Sequence, residues 1–525
     1  MAFSMTIAVR AQAAAETAPA TGGRGRILLV LPFDNNTGQP SLEWIREAAP
    51  EILSRRFASA GFAPMSRADR MYALDHLGLP QGFHPSRASS LKLAETLDAD
   101  SIVVGSYVTD GTGIVAEARL VDVPHLRMSD PVSARGEMRD LIAVFDSLAW
   151  RLTRQLDPGF SVAEETFVAT GKGLRLDAFE QYIRGITEPD QTERLRHLNL
   201  AVKLSPEFSQ AWMALAREDY NGQKYEEAAA AFAKVGRNDA GALEAGFYRG
   251  LALLFSGDYP RAEEAFGGVA RVLPLAEVLN NQGVAVSRQG HDGVALFRQA
   301  VAADPNAADY HFNLAVSLKR HGNAAEAATE LAQCLRLHPS DSEAQDLDKE
   351  WKGPSAGGSP ASGTALKADP LERIARNFDA VAFRQAAQMM DQMDASRLAA
   401  LAPDKRAQKL ASQAREYLDR GLLLEAERLY QSAVAADSRV AEAHAGLAEV
   451  RERTGDADAA RKEARTSLEL MPSTEAYLVM GRLDLAAGNI EQAAYDAAAA
   501  LKIDPANRDA QELHRQIEAK EGQKK

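Results

Sequence analysis

Residues 305–339 read PNAADYHFNLAVSLKRHGNAAEAATELAQCLRLHP. Apolar and small residues recur at helical spacing on both sides of a central glycine, which predicts two helices joined by a short turn. Pro305 and Pro339 enclose this unit and lie 34 residues apart, and Ser438 and Pro472 enclose another unit at the same spacing. A period of this length predicts stacked pairs of helices, each packing on the next pair.

The same arrangement recurs along most of the chain. In each unit a small residue stands where the first helix meets the second, and a small and then a bulky residue follow on the second helix. Eight units can be counted, and an interruption separates the first five from the last three. They are marked by Phe179, Tyr182, Leu198, Ala201 and Pro206; Trp212, Leu215, Ala216, Ala228 and Phe232; Gly250, Gly257, Ala262, Phe266 and Pro274; Gly283, Gly290, Phe297, Ala300 and Pro305; Leu314, Ala315, Gly322, Ala327, Leu331 and Pro339; Ala414, Gly421, Ala426, Tyr430 and Ala433; Leu447, Ala448, Gly455, Ala460 and Pro472; and Gly481, Gly488, Ala493, Ala500 and Pro505.

This series resembles the tetratricopeptide repeat (TPR) over more than half of the chain. The resemblance implies a mostly α fold, a TPR α-solenoid in two arrays over residues 175–345 and 405–520. The polar helix that begins at Arg508 is expected to shield the end of the second array from water.

The region ahead of the repeats, residues 26–157, has a different pattern. Apolar runs at Arg26–Phe33, Ser101–Tyr107 and Ile114–Val121 predict strands, and Asp110-Gly111-Thr112-Gly113 predicts a hairpin between the last two. Helical periodicity lies between the strands and again over Asp140–Leu156. The sequence therefore predicts a small α/β domain with a mixed sheet.

Five stretches of this domain carry a family resemblance: Val30–Asn35, Leu42–Ile45, Leu53–Phe57, Ala99–Tyr107 and Ala118–Asp122. Together they resemble the TolB amino-terminal-like and FlgO-like envelope domains. The resemblance implies a small mixed α/β domain without enzymatic activity, often placed ahead of helical repeats, and it favours the bacterial cell envelope.

The composition and the absence of known motifs exclude several functional classes. The chain has 525 residues, a net charge of −13 and a single cysteine. The acidic balance argues against nucleic acid as a partner, and one cysteine excludes an intrachain disulfide. No phosphate loop, nucleophile elbow or metal-ligand spacing is recognisable, so we expect no enzyme activity, no cofactor and no metal site. No apolar run is long enough for a transmembrane segment.

The first 25 residues leave two interpretations open. Ala2–Val9 is a short apolar run followed by Ala11-Gln12-Ala13, which fits the small-x-small cleavage pattern of a secretory signal. A basic leader is missing, so residues 1–25 are either a truncated signal segment and linker, with the true start upstream, or an Ala-rich tail. We expect a periplasmic or otherwise exported protein, with the cytoplasm as the alternative.

Residues 346–404 interrupt the repeats. Gly353–Gly363 is rich in Gly, Pro and Ser and predicts a linker. Pro370–Leu401 has the spacing of one or two amphipathic helices, with Ile374 and Phe378 on the apolar side. A helix docked on the second array is favoured over a Met-rich binding surface.

Stacked helix pairs line an inner groove with side chains of their first helices, and such grooves bind segments of other proteins. Asparagines could pair with a ligand backbone, and cationic side chains could hold a carboxylate or an acidic side chain. The alternative is that these are solvated polar positions, and the likeness to a TPR carboxylate clamp is loose. The groove candidates are Met213, Arg217, Asn280, Asn281, Arg288, Asn313, Lys319 and Arg320.

Two functions are compatible with this organisation. The leading hypothesis is a non-enzymatic, envelope-associated scaffold or adaptor that binds protein or peptide partners through its TPR grooves. The alternative is a regulatory or sensory accessory protein whose α/β domain binds a small ligand at the polar turn Asp34–Thr37.

Overall fold

A computed structural model describes residues 27–80, 86–111, 113–169, 173–237, 239, 241–353, 371–378 and 393–524. The chain forms two compact units. The first comprises Met1–Lys172, Ala411–Gln431 and Ala441–Lys525, and the second comprises Gly173–Leu410 and Ser432–Val440. Among the described residues, no helix is both long enough and apolar enough to cross a bilayer.

The α/β domain contains a mixed sheet, as the sequence predicts, and its described residues contribute seven strands to it. The strands are β1 (Ile27–Val30), β2 (Asp34–Asn35), β3 (Ala63–Pro64), β4 (Ser101–Asp110), β5 (Gly113–Asp122), β6 (Arg127–Met128) and β7 (Val132–Glu137). The order β3-β1-β4-β5-β6 is parallel from β3 to β4 and antiparallel beyond it, while β2 pairs with β4 and β7 with β5. The predicted hairpin joins β4 to β5, and Gly111 takes the left-handed backbone conformation that the turn requires.

In the described part of this domain, the helices that accompany the sheet are α1 (Ile45–Ser59), α2 (Arg67–His76), α3 (Arg87–Thr96), α4 (Leu141–Leu156) and α5 (Glu164–Ala169). Helices α1 and α4 pack together, and Arg56 of α1 lies beside Asp146 of α4 with 3.5 Å between Nε and Oδ1. Both side chains are buried, and this burial raises the pKa of Asp146 to about 6 and lowers the pKa of Arg56 to about 10.

The second array consists of α18 (Pro403–Asp419), α19 (Leu423–Ala436), α20 (Ala441–Thr454), α21 (Ala457–Leu470), α22 (Thr474–Ala487), α23 (Ile490–Ile503) and α24 (Arg508–Lys524). Within the first unit, Glu427 of α19 is fully buried and accepts the backbone N–H of Ala163 at 3.2 Å. Arg451 of α20 pairs with the same carboxylate at 2.7 Å, and burial still raises the pKa of Glu427. The buried carboxylate of Glu427 therefore links the residue just before α5 to helix α19.

The second unit contains the first array. Its helices are α6 (Leu176–Thr187), α7 (Gln191–Leu204), α8 (Ser209–Asn221), α9 (Tyr225–Phe232), α10 (Ala242–Ser256), α11 (Tyr259–Ala270), α12 (Ala276–Arg288), α13 (Val294–Ala303), α14 (Ala308–Arg320), α15 (Ala324–Leu337) and α16 (Ser342–Lys352). Residues 393–399 belong to a further helix, α17. Small residues stand where the period predicts them, because a Cβ on Gly250 would lie 2.7 Å from the Phe266 ring and one on Gly283 would lie 2.8 Å from the Phe297 ring.

The expected helix over Pro370–Leu401 is wrong for residues 371–378, which form neither helix nor strand. Docking on the second array is also wrong for this pair, because the Ile374 and Phe378 side chains pack onto the core of the first array. Polar side chains of the array satisfy the backbone of this segment, so it does not need helical hydrogen bonds. The rest of that expectation lies outside the described residues up to residue 392.

Candidate functional site: the groove of the first array

The groove is built from equivalent positions on three successive helices. Tyr248 of α10, Asn281 of α12 and Asn313 of α14 each stand two residues before the small residue that meets the second helix of the pair. Because the repeat places these positions on one face, the three polar side chains form a ladder along the groove. Both asparagines are fully buried.

Residues 371–378 of the same unit lie along this ladder. The side chain of Asn313 accepts the backbone N–H of Arg373 at 2.6 Å and donates to its carbonyl oxygen at 2.7 Å. Asn281 does the same for Ala375, accepting at 2.9 Å and donating at 2.7 Å. Asn280 adds a donor to the Arg373 carbonyl at 3.0 Å. The backbone N–H and carbonyl groups of two residues, 373 and 375, are therefore each bonded by one asparagine side chain.

The ladder continues at the other end of the segment. The Tyr248 hydroxyl hydrogen-bonds with the backbone of Phe378, and burial raises the pKa of this tyrosine. Phe378 also packs on Phe247, with 5.6 Å between the ring centroids. Residues 373, 375 and 378 contact α14, α12 and α10 in turn. The segment therefore runs along the groove from the helix pair α14–α15 towards the helix pair α10–α11.

An acid pocket lies beside the start of the segment. The Glu372 side chain is 1% exposed, and Nε of Arg288 lies 3.1 Å from its Oε2 atom. Arg320 and the hydroxyl of Ser287 donate to the other carboxylate oxygen. Arg288 also reaches the Glu372 carbonyl oxygen at 3.3 Å. Two cations at equivalent positions of neighbouring repeats thus converge on a single carboxylate.

The next residue, Arg373, occupies an acidic site, whereas Glu372 occupies a basic one. The Arg373 guanidinium bonds Asp309 at 2.8 Å, Asp341 at 3.0 Å and Glu343 at 3.1 Å, and its Cζ lies 3.7 Å from the centroid of the Phe312 ring. Burial alone lowers the pKa of Arg373, but the hydrogen bonds to the three carboxylates outweigh it, so the pKa lies above its usual value. This environment is selective for a basic side chain.

An open cleft continues the groove beyond Arg376 and Asn377. Its volume is about 770 Å³, and its lining includes the aromatic rings of Tyr220, Tyr225 and Phe255. The Cζ atom of Arg376 lies 5.6 Å from the Phe255 ring centroid. This end of the groove therefore combines aromatic faces with open volume.

The structure brings five of the eight sequence-predicted groove residues onto the segment: Asn280, Asn281, Arg288, Asn313 and Arg320. The other three have different partners. Met213 packs on the core of the array, Arg217 pairs with Glu244 at 2.5 Å, and Lys319 lies over the Trp351 ring at 5.1 Å. Arg217 and Glu244 both line the open cleft that continues the groove.

Sequence reasoning missed several members of the site. Tyr248 is detectable because it occupies the same repeat position as Asn281 and Asn313. The carboxylates around Arg373 come from the start of α14 and from the segment where α16 begins, and no periodic signal links them. The occupant of the groove was missed altogether.

The second array lacks the ladder. The positions equivalent to Asn281 are Ser412, Gly446 and Val479. At Gly446 a Cβ would overlap the Tyr430 ring, so no longer side chain fits there. Charged side chains further along the first helices pair with each other, as Arg482 does with Glu452 at 2.6 Å. The two arrays therefore present different chemistry.

The polar turn of the α/β domain closes on itself. The Asn35 side chain accepts the backbone N–H of Thr37 at 3.1 Å and donates to Glu43 at 2.9 Å and to the Gln39 carbonyl at 3.2 Å. These bonds use the side-chain amide for the shape of the turn rather than offering it to a ligand.

Comparison with known proteins agrees with this architecture. The family described as "Tetratricopeptide repeat" matches residues 285–342 and 412–473. These two stretches are similar to tetratricopeptide repeats. Repeats of this family serve protein interaction, and the fold is a helical solenoid in arrays that follow a small mixed-sheet domain in the sequence. The resemblance of residues 26–157 to TolB amino-terminal-like and FlgO-like domains stays a prediction. No curated protein matches the chain.

Several solved structures are similar to parts of the chain. MamA from Desulfovibrio magneticus RS-1 is 19% identical over 35% of this chain and 99% of that one, with a TM-score of 0.28. YrrB, described as a TPR protein with an unusual peptide-binding site, is 16% identical over 39% of this chain and 99% of its own, with a TM-score of 0.29. The C-terminal domain of LpoB from Salmonella enterica is 19% identical over 22% of this chain and 84% of its own, with a TM-score of 0.19. At these TM-scores the likenesses carry no argument about function.

Proposed function

We propose that the chain is a non-enzymatic scaffold or adaptor whose first TPR array binds extended segments of partner proteins. The observation that supports this most strongly is the pair of reciprocal hydrogen bonds from Asn281 and Asn313 to the backbone at residues 375 and 373. Such bonds recognise an extended backbone of any sequence, and the neighbouring pockets add selectivity for side chains.

The energetics favour a groove that is filled rather than empty. Buried amide side chains lose free energy when they are removed from water without a partner, about 1–3 kcal/mol for each group. The three asparagines of the site are 0% exposed with the segment in place. A ligand that supplies backbone N–H and carbonyl groups at the same spacing satisfies them, whereas a purely apolar ligand does not.

Association with the bacterial cell envelope, after export, is the second part of the proposal. It rests on the apolar run and small-x-small pattern within residues 1–25 and on the envelope-domain resemblance of residues 26–157. Fractionation of cells that produce the chain with an epitope tag at its C-terminus tests this part. Recovery in the periplasmic or envelope fraction supports it, and recovery in the cytosol alone contradicts it.

The groove is tested by direct binding of a peptide. The probe is a dye-labelled peptide with the sequence of residues 369–380, DPLERIARNFDA. The protein is the full chain carrying Glu372→Ala and Arg373→Ala, hereafter the release variant, in which the resident segment loses its two charged anchors. We expect saturable binding with a Kd of about 1–100 μM, followed by fluorescence anisotropy.

Two further variants make this test specific. Adding Asn281→Ala and Asn313→Ala to the release variant should abolish binding, because the backbone bonds are lost. Adding Ser412→Ala, a change at the equivalent position of the second array, should leave the Kd unchanged. Absence of binding by a folded release variant, or equal loss with Ser412→Ala, would refute the first array as the peptide site.

A further inference from the structure

Resting on the proposed function, we propose that residues 371–378 are an intramolecular competitor that closes the groove. A partner opens it by presenting a segment of the same chemical pattern. That pattern is an acidic residue, then arginine, an aliphatic residue, a small residue, two unrestricted residues and an aromatic residue. It is set by Glu372, Arg373, Ile374, Ala375 and Phe378.

The order of charges fixes the direction in which a partner segment can bind. The pocket made by Arg288 and Arg320 takes an acid, while the carboxylates of Asp309 and Asp341 take a base next to it. A segment with the charges reversed places like charges against each other in both pockets. Because the Glu372, Arg373 and Asp341 side chains are mostly buried, like-charge contacts there are strongly unfavourable.

The spacing of the backbone contacts restricts the partner to an extended conformation. Asn313 and Asn281 hold residues two apart, and Tyr248 meets the residue three further on. A helix would turn alternate backbone groups away and bond them internally, so it could not satisfy the two asparagines. The partner site must therefore be an extended stretch of about eight residues.

The resident segment has the features of a displaceable ligand rather than of a core element. Leu371 at its start is 58% exposed, and Arg376 and Asn377 are exposed near its end. Its anchors are the side chains and backbone of Glu372 to Ala375 together with the ring of Phe378. A partner that supplies the same anchors replaces every one of these contacts.

Tethering makes this segment an effective competitor. The 18 residues from 353 to 370 join it to the end of α16. A tether of this length gives an effective concentration on the order of 1 mM. For an intrinsic Kd of about 10 μM, the resident segment then weakens binding of an added peptide roughly 100-fold.

The experiment compares the Kd of the DPLERIARNFDA peptide for the wild-type chain and for the release variant. We expect binding to the wild type to be 10- to 100-fold weaker. A peptide with the two charges exchanged, DPLREIARNFDA, should bind the release variant at least 10-fold more weakly than the parent peptide does. Circular dichroism and thermal unfolding confirm that the release variant is folded.

Each outcome bears on a separate claim. Equal affinity for the wild type and the release variant would overturn intramolecular competition while leaving the proposed function intact. Equal affinity of the two peptides would overturn the charge pattern of the partner. Loss of all binding by the release variant would instead count against the proposed function. A wild-type dimer in light scattering that the release variant does not form would identify a second copy as the occupant and overturn the intramolecular contact.

Discussion

Replacing Glu372 by glutamine tests the acid pocket with almost no change of shape. The side chain is 1% exposed and accepts hydrogen bonds from Arg288, Arg320 and Ser287. Glutamine keeps the size of the side chain but removes the charge, so both guanidiniums lose their ion pair with this carboxylate. We expect the segment to open more often, because these ion pairs help to hold Glu372 in the groove.

The magnitude follows from the number and exposure of the partners. A hydrogen bond to a charged group contributes about 1.5–3 kcal/mol when buried. Arg288 and Arg320 are 23% and 30% exposed, so water recovers part of the lost interaction for both. A net loss of about 2 kcal/mol is expected, which increases the open population of the segment roughly 30-fold.

Hydrogen exchange provides the assay, because two amides of the segment report its docking directly. The N–H groups of Arg373 and Ala375 donate to Asn313 and Asn281, and they exchange when the segment leaves the groove. Exchange at both amides should accelerate about 30-fold in Glu372→Gln. Glu343→Gln is the matched control, because it removes an equal charge from a half-exposed partner of Arg373, and it should change exchange less than threefold. Unchanged exchange in Glu372→Gln, or equal acceleration in the control, would refute the reasoning.

Three further predictions concern buried residues within the individual units. Burial raises the pKa of Asp146 and of Asp496 to about 6, so folding favours the protonated form of each carboxyl group. Protonation therefore contributes to the free energy of unfolding below the usual pKa of an aspartate, and this contribution is lost as the pH rises through 6. The thermal midpoint of the first unit should therefore fall between pH 5 and pH 7, and less so in Asp146→Asn; an equal fall in that variant would contradict the assignment. Gly446→Ala places a methyl group against the Tyr430 ring and should lower the free energy of unfolding by about 1–3 kcal/mol in urea titrations, whereas an unchanged midpoint would show that the helices can separate freely. The thiol of Cys334 is fully buried and burial raises its pKa to about 11, so a thiol reagent at pH 8 should label it only after unfolding, and rapid labelling of the native chain would be inconsistent with its place in the core.

The repeat architecture could be predicted because it depends on contacts close together in the sequence. Gly250 meets Phe266 and Gly283 meets Phe297 within single helix pairs, so the sequence period directly reflects the packing. The same period identifies which side chains line the groove, and it is sufficient to place Asn281 and Asn313 on one face.

The occupant of the groove could not be predicted by the same reasoning. Ile374 and Phe378 have helical spacing, and local periodicity cannot distinguish a helix from an extended segment whose anchors follow that spacing. What holds the segment in place is a set of contacts with residues 60 and 94 positions earlier in the chain. Buried Glu427 is a similar case, because its partner Ala163 is 264 residues away.

The most direct test of backbone recognition uses N-methylated peptides and the release variant. A methyl group on the nitrogen of the residue that matches Ala375 removes the donor to Asn281 and leaves every side chain intact. The control carries the methyl group on the residue that matches Ile374, whose N–H makes no hydrogen bond among the described residues. We predict at least a 10-fold increase in Kd for the first peptide and little change for the second. Equal affinity of the two would contradict the claim that the asparagine ladder binds the backbone of an extended partner.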